Sequence, residues 1–271
     1  MINLEVVTDK VNVIAREVGS FIREELGKVQ HDQIVTKDHN SLVSYVDQEA
    51  EKMLVTGLKK LIPSSGFITE EDTVDHYGQE YTWIIDPLDG TTNFLYNIPH
   101  FSTSIALKHK EELVIGVINH IMGDELYYGW KNGGAFMNGR DIKCASTEDL
   151  SASIIATGFP YAANYNQKPY FEMMSVIMKE ARGMRRFGSA ALDMAFVANG
   201  RFTAFYETSL NPWDVAGGIV ICKEAGAQVC DYFGQDSYYN GRSIIVANDQ
   251  ILKQLSNYTA NFFDQKDIPN T

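Results

Sequence analysis

The sequence predicts an α+β half, residues 1–148, followed by an α/β half, residues 149–271, sharing one continuous core. Three observations carry this. Two helical stripes open the chain, short apolar runs separated by turn signals fill the middle, and strands alternate with helices after about residue 150. In the first stripe Leu4, Val7, Val11, Ile14, Val18, Ile22 and Leu26 recur at steps of three and four, and Gly27 follows as a stop. A second helix starts near Ser44, with Asp47 placed to close a capping box and Pro63 to end it. Gly66–Thr69 and Tyr81–Ile85 read as buried strands that end in acids. Ser102–Leu107, Leu113–Ile118 and Glu125–Trp130 read as a meander, with Asn132-Gly133-Gly134 as a hairpin turn. Beyond it, strands are expected at Ser153–Thr157, Ala204–Tyr206 and Ile244–Val246. Helices are expected at Tyr170–Glu180, Ala190–Ala198, Val215–Ala225 and Gln250–Tyr258, and the polar tail Gln265–Thr271 should fray.

At 271 residues and 45% hydrophobic composition the chain can bury a core without staples. Its net charge of −12 argues against nucleic acid or anionic lipid as a partner, since both need a basic face. An acidic protein that handles an anion would need a bridging cation. Cys144, Cys222 and Cys230 are odd in number and form no CxxC, which favours a reducing compartment. The first residues lack a signal-peptide pattern, and no apolar run approaches the roughly 20 residues of a membrane helix. The expectation is a soluble, cytoplasmic protein.

Three segments place carboxylates where a strand meets a turn or a helix. In Glu70-Glu71-Asp72 the acids follow a strand directly, and a solvated acidic turn is an adequate reading of that triplet alone. In Asp86-Pro87-Leu88-Asp89-Gly90-Thr91-Thr92, two acids three apart and the Leu88 carbonyl can face one way, as three oxygen ligands for a hard cation such as Mg²⁺. The small residues that follow free backbone N–H groups to face an anion. A Pro/Gly turn with capping acids explains the segment equally well. In Asn211-Pro212-Trp213-Asp214, Asn211 suits an N-cap and Asp214 the N3 position, so Asp214 could simply cap its helix. Ala216, Gly217 and Gly218 would let that helix pack closely enough to carry Asp214 to a site in the other half. Zinc spacing, a GxSxG elbow and a Walker loop are all missing, and His100 reads as a loop residue. Arg182, Arg185 and Arg186 form a small basic cluster, solvated or facing a substrate phosphate.

Taken in order, Glu70-Glu71, then Trp83-Ile-Ile-Asp86-Pro-Leu-Asp89-Gly-Thr-Thr-Asn-Phe94, then Trp213-Asp214-Val-Ala-Gly-Gly218 resemble the motifs of the inositol monophosphatase family. The resemblance runs from the first helix to Gln250. It implies an alternating five-layer αβαβα sandwich and a Mg²⁺-dependent, lithium-sensitive, commonly dimeric phosphomonoesterase. It implies Glu70, Asp86 and the Leu88 carbonyl as ligands of one ion, and Asp86, Asp89 and Asp214 as ligands of a second. Glu71 would hold a third through water, giving two or three Mg²⁺ ions. Glu70, Thr91 and Asp47 take the catalytic places: Thr91 with Glu70 orients the attacking water, and Asp47 stands near the third ion, although capping its own helix also explains Asp47. The Gly90 and Thr91 N–H groups would cradle phosphate, while Ser189, Ala190 and Glu207 would meet the substrate's hydroxyl-bearing part.

The implied partner is a small phosphorylated metabolite, and the implied assembly a homodimer. Thr92-Asn93-Phe94 stands where relatives acting on 3′-phosphoadenosine phosphate read Lys-Glu-Phe, which favours inositol monophosphate. Fructose 1,6-bisphosphate and NADP stay open as substrates, the more so with the Arg182–Arg186 cluster nearby. A non-catalytic metal-binding protein would be expected to lose the water-orienting pair, and here both Glu70 and Thr91 are present.

Overall fold

The computed structural model describes residues 2–30, 33–38, 41–71, 80–161, 167–240 and 242–264. Asp72 and the tail Gln265–Thr271 lie outside them. Helix α1 (Leu4–Glu25) forms from the first stripe and buries Val11, Ala15, Val18 and Ile22. A hairpin that the sequence did not announce follows, β1 (Val35–Asp38) with β2 (Ser41–Val43). Helix α2 (Tyr45–Leu61) opens with the expected capping box: Ser44 N–H donates to Asp47 Oδ2 at 2.8 Å while the Ser44 side chain accepts at the helix start.

Next come β3 (Gly66–Thr69), β4 (Tyr81–Asp89), the short helix α3 (Thr91–Leu95), β5 (Ser102–His109), β6 (Glu112–His120), β7 (Glu125–Trp130), β8 (Gly134–Met137) and β9 (Arg140–Asp141). Strands β3 to β9 make one sheet in chain order, parallel only between β3 and β4. The rest of the chain supplies β10 (Ile154–Thr157), α4 (Gln167–Glu180), β11 (Gly183–Arg185), α5 (Ala190–Ala198), β12 (Ala204–Thr208), α6 (Pro212–Glu224), β13 (Gln228–Cys230), β14 (Ser243–Ala247) and α7 (Asp249–Phe262). The second sheet runs β11-β10-β12-β14-β13, with β14 antiparallel to both its neighbours.

The elements stack as α1/α2, first sheet, α5/α6, second sheet, α4/α7, which is the expected five-layer order. One core joins α1 and α2 to the first sheet through Ile22, Leu54, Trp83 and Ile115. A second joins both sheets through the middle helices, with Ile118 and Tyr127 of the first sheet beside Phe205 and Val246 of the second. Every residue of α5 is buried, as a central layer requires. Among the described residues no helix is long and apolar enough to cross a membrane.

The approach of α6 to the first sheet depends on glycine. Gly116 on β6 faces Gly217 on α6, and a Cβ at Gly116 would collide with the Gly217 carbonyl oxygen. Backbone cannot yield as a flexible side chain can. Gly116→Ala is therefore expected to cost about 2–3 kcal/mol through overpacking, lowering Tm by roughly 5–10 °C. Thermal unfolding checks this, and an unchanged Tm would mean that α6 can lift off the sheet without penalty.

Candidate active site

Strand β4 carries two of the acids across a bulge. Asp86 pairs with Ser104 and Asp89 with Ser102, so three steps along β4 match two along β5. Such a bulge re-aims side chains and tolerates Pro87, which has no N–H to give. Asp86 Oδ1 accepts from Leu88 N at 2.9 Å, closing a local turn. Gly90 then adopts a left-handed φ of 94° with the His100 and Gly188 carbonyl oxygens close by, and α3 begins at Thr91. Asn93 Nδ2 donates to the His100 and Phe187 carbonyls at 2.7 and 2.8 Å, tying this turn to both neighbouring loops. Strand β3 ends just before Glu70, whose N–H donates to the Ile85 carbonyl at 3.3 Å. From the other half, Asn211 N–H donates to Asp214 Oδ2 at 2.7 Å, so Asp214 does cap α6 and also faces the acids of β4.

These acids repel one another in a poorly solvated place. Burial, then Glu70, Asp89 and Asp214, hold the Asp86 carboxyl well above its ordinary range. Burial raises Asp89 to about 6, against the stabilising donation of Ser189 Oγ at 2.5 Å and Ala191 N at 2.8 Å. Asp214 is raised well above its usual value by burial, opposed by its Asn211 hydrogen bond and reinforced by Asp89 and Glu70. Burial lifts Glu207 to about 8. Asp47, fully buried, is raised by burial, while its hydrogen bonds to Ser44 and Thr91 pull the other way.

Among the described residues no cationic side chain forms an ion pair with Asp86, Asp89 or Asp214. Nor, among those residues, do three or more acids, histidines or cysteines already stand in finished metal-ligand geometry. Each acid instead accepts from a donor of its own chain, Asp86 from Leu88, Asp89 from Ser189 and Ala191, Asp214 from Asn211. The donor set is entirely oxygen and carries uncompensated negative charge, which suits a hard divalent cation.

Two adjoining cavities open over this ground and share Arg186 and Gly188. The outer one, about 670 Å³, is lined by Glu70, Gly90, Thr91 and Thr92 among others. The inner one, about 150 Å³, is lined by Asp89, Ser189, Ala190, Asp193, Glu207 and Asp214. Asp86, Leu88 and Asp47 are buried and line neither cavity. Thr91 Oγ1 links them, at 3.0 Å from Asp47 Oδ1 and 2.9 Å from the Leu88 carbonyl. Asp47 thus caps its helix with one oxygen and meets Thr91 with the other. Glu71 is not among the residues that line either cavity, and its N–H donates to Glu51 Oε2 of α2 at 2.9 Å.

The family model described as "Inositol monophosphatase family" matches residues 3–263. The chain belongs to this family. It is 38% identical over 242 residues to an inositol-1-monophosphatase of Mesorhizobium japonicum, covering 89% of this chain and 91% of that one. It is 36% identical over 242 residues to the Nus factor SuhB of Escherichia coli K12, with the same shares of each chain. The crystal structure of the extragenic suppressor protein suhB from Bartonella henselae superposes with a TM-score of 0.90 at 35% identity, covering 95% of this chain and all of that one. The protein is accordingly a phosphatase of the inositol monophosphatase family.

Two residues of this family member's cavities escaped the sequence reading or were only half seen. Asp193, 2% exposed, is the lone acid of the apolar helix Ala190–Ala198, and that isolation was the available signal. Of the three clustered arginines only Arg186 lines the cavities; Arg182 and Arg185 donate to the Ser151 and Met184 carbonyls.

Proposed function

We propose that this phosphatase hydrolyses small phosphate monoesters, inositol monophosphate foremost, with two or three Mg²⁺ ions. The observation that carries the reading is the cluster of buried, mutually repelling Asp86, Asp89 and Asp214, none of which forms an ion pair with a cationic side chain among the described residues, beside a cavity lined by Gly90 and Thr91. Glu70, Asp86 and the Leu88 carbonyl would hold one ion, Asp86, Asp89 and Asp214 a second, and Glu71 a third through water. Mg²⁺ there would offset the charge of the phosphate and lower the pKa of the attacking water.

The chain's own groups do the positioning. The Gly90 and Thr91 N–H groups receive the phosphate oxygens, as small residues with exposed amides can. Thr91 Oγ1, its orientation fixed between Asp47 and the Leu88 carbonyl, orients the attacking water together with Glu70. Ser189, at the start of α5, holds Asp89 in place by donating its Oγ to Oδ2. Ser189, Ala190 and Glu207 border the inner cavity, where the alcohol part of the ester would sit. Arg186, at the junction of the cavities, favours a second reading in which fructose 1,6-bisphosphate or NADP brings a further phosphate to it. The free thiols Cys144, Cys222 and Cys230 support a cytoplasmic setting, and sedimentation of the purified protein tests the family's homodimer.

Phosphate release from inositol 1-phosphate, fructose 1,6-bisphosphate, NADP and 3′-phosphoadenosine phosphate, with and without Mg²⁺ and with lithium added, tests the reading. The expected result is Mg²⁺-dependent, lithium-inhibited release, fastest from inositol 1-phosphate. Fastest release from a bisphosphate or a nucleotide would shift the assignment to the second reading. Release from none would overturn the hydrolytic function.

A further inference from the structure

The inner cavity holds an acid that the hydrolytic scheme leaves idle. Asp193 stands in the first turn of α5, is 2% exposed, and among the described residues its Oδ1 has no hydrogen-bond partner. A buried carboxylate oxygen without a donor is costly and calls for one. Asp193 lines the same small chamber as Glu207. Glu207 occupies space that Gly158 leaves open, since a Cβ at Gly158 would collide with its carboxylate. Arg186 borders the chamber and attracts both carboxylates, so their charges are partly balanced without being paired off. Its guanidinium lies 5.7 Å from the centroids of the Phe159 and Tyr161 rings, which hold it at the rim.

Two carboxyl groups in one chamber of about 150 Å³ offer neighbouring hydrogen-bond acceptor oxygens. They suit a group bearing two neighbouring hydroxyls. We infer that Asp193 is a specificity-determining residue which, with Glu207, receives two adjacent hydroxyls of the substrate, so that the enzyme selects monophosphates of polyols over esters of simple alcohols. This rests on the hydrolytic reading above. It adds that the inner chamber receives hydrogen-bond donors of the substrate.

The experiment compares kcat/KM for inositol 1-phosphate and for phenyl phosphate, which has no hydroxyl to offer, in wild type, Asp193→Asn and Asp193→Ala. The readout is the ratio of the two values. Leaving a buried substrate hydroxyl without its acceptor should lower that ratio roughly 10- to 100-fold in Asp193→Ala, chiefly through KM for inositol 1-phosphate. Asp193→Asn keeps an acceptor oxygen and should fall between. A merely structural role would depress both substrates alike, so an unchanged ratio in folded variants overturns the inference. Failure of the hydrolytic reading looks different: wild type would release phosphate from neither ester. Calorimetric binding of inositol 1-phosphate then still tests Asp193, with at least tenfold weaker binding by Asp193→Ala supporting the inference and equal affinity overturning it.

Discussion

Asp86→Asn is expected to lower phosphate release by more than about 10³-fold, equivalent to roughly 4 kcal/mol of lost transition-state stabilisation, while the protein stays folded. The substitution is isosteric, and Asn Oδ1 can still accept the Leu88 N–H that shapes the turn. What it removes is charge. Asp86 is 2% exposed and its charged form is opposed by burial and by Glu70, Asp89 and Asp214. Neutralising it therefore relieves repulsion in the metal-free protein and weakens its hold on a cation by the same change. Stability and activity should move in opposite directions. Asp86→Asn without Mg²⁺ should melt no lower than wild type, and Mg²⁺ should stabilise it less. Retained turnover would remove Asp86 from the metal set, and loss of the cooperative transition would make it a folding residue.

The same physics explains which parts of the site could be read from the chain. The Ser44–Asp47 cap, the acids closing β3 and β4, and the small residues of α6 are local patterns, and each stands where its pattern placed it. The Gly217 contact with Gly116 supplies the reason for those small residues: α6 must lie on the first sheet for Asp214 to reach Asp86 and Asp89. Other features are not local. Asp89 takes its orientation from Ser189, a hundred residues on, which no spacing rule announces. The short β11 and β13 and the hairpin of β1 with β2 have no apolar alternation long enough to register, because neighbouring strands define them. The direction of β14 is likewise a property of the sheet, which makes the second half a mixed sheet rather than a parallel one. Asp193 was masked by its position, since an acid in the first turn of a helix already has a dipole-based explanation. Only the cavity beside it shows that this explanation is incomplete.

Mg²⁺ is expected to raise the Tm of the metal-free protein by roughly 5–10 °C at pH 8 when present at about 100 times its Kd, and by less than half as much at pH 5. The sign follows from the raised carboxyls. An acid whose folded pKa lies above its unfolded value holds its proton more tightly when folded; that stabilisation is complete below the unfolded value and is lost as pH rises through the folded one. For Asp89 the window runs from 3.8 to about 6, and for Glu207 from 4.5 to about 8. Asp86 and Asp214 are shifted in the same direction. At pH 5 protons therefore already neutralise much of the cluster, and a cation must displace them to bind. At pH 8 the cluster carries more uncompensated charge, and the cation relieves it. The bare pH trend of Tm is not the readout, because His100, lowered to about 4 by burial, and His120, lowered by burial as well, lose stability in the opposite direction as pH falls. The Mg²⁺-induced increment at each pH separates the two effects, since neither histidine belongs to the acid cluster. Thermal melts of chelator-treated protein, with and without Mg²⁺ at pH 5 and pH 8, read that increment directly. Equal increments at both values, or a larger one at pH 5, would show that cation binding does not compete with protons on these carboxylates and would detach the metal from Asp86, Asp89 and Asp214.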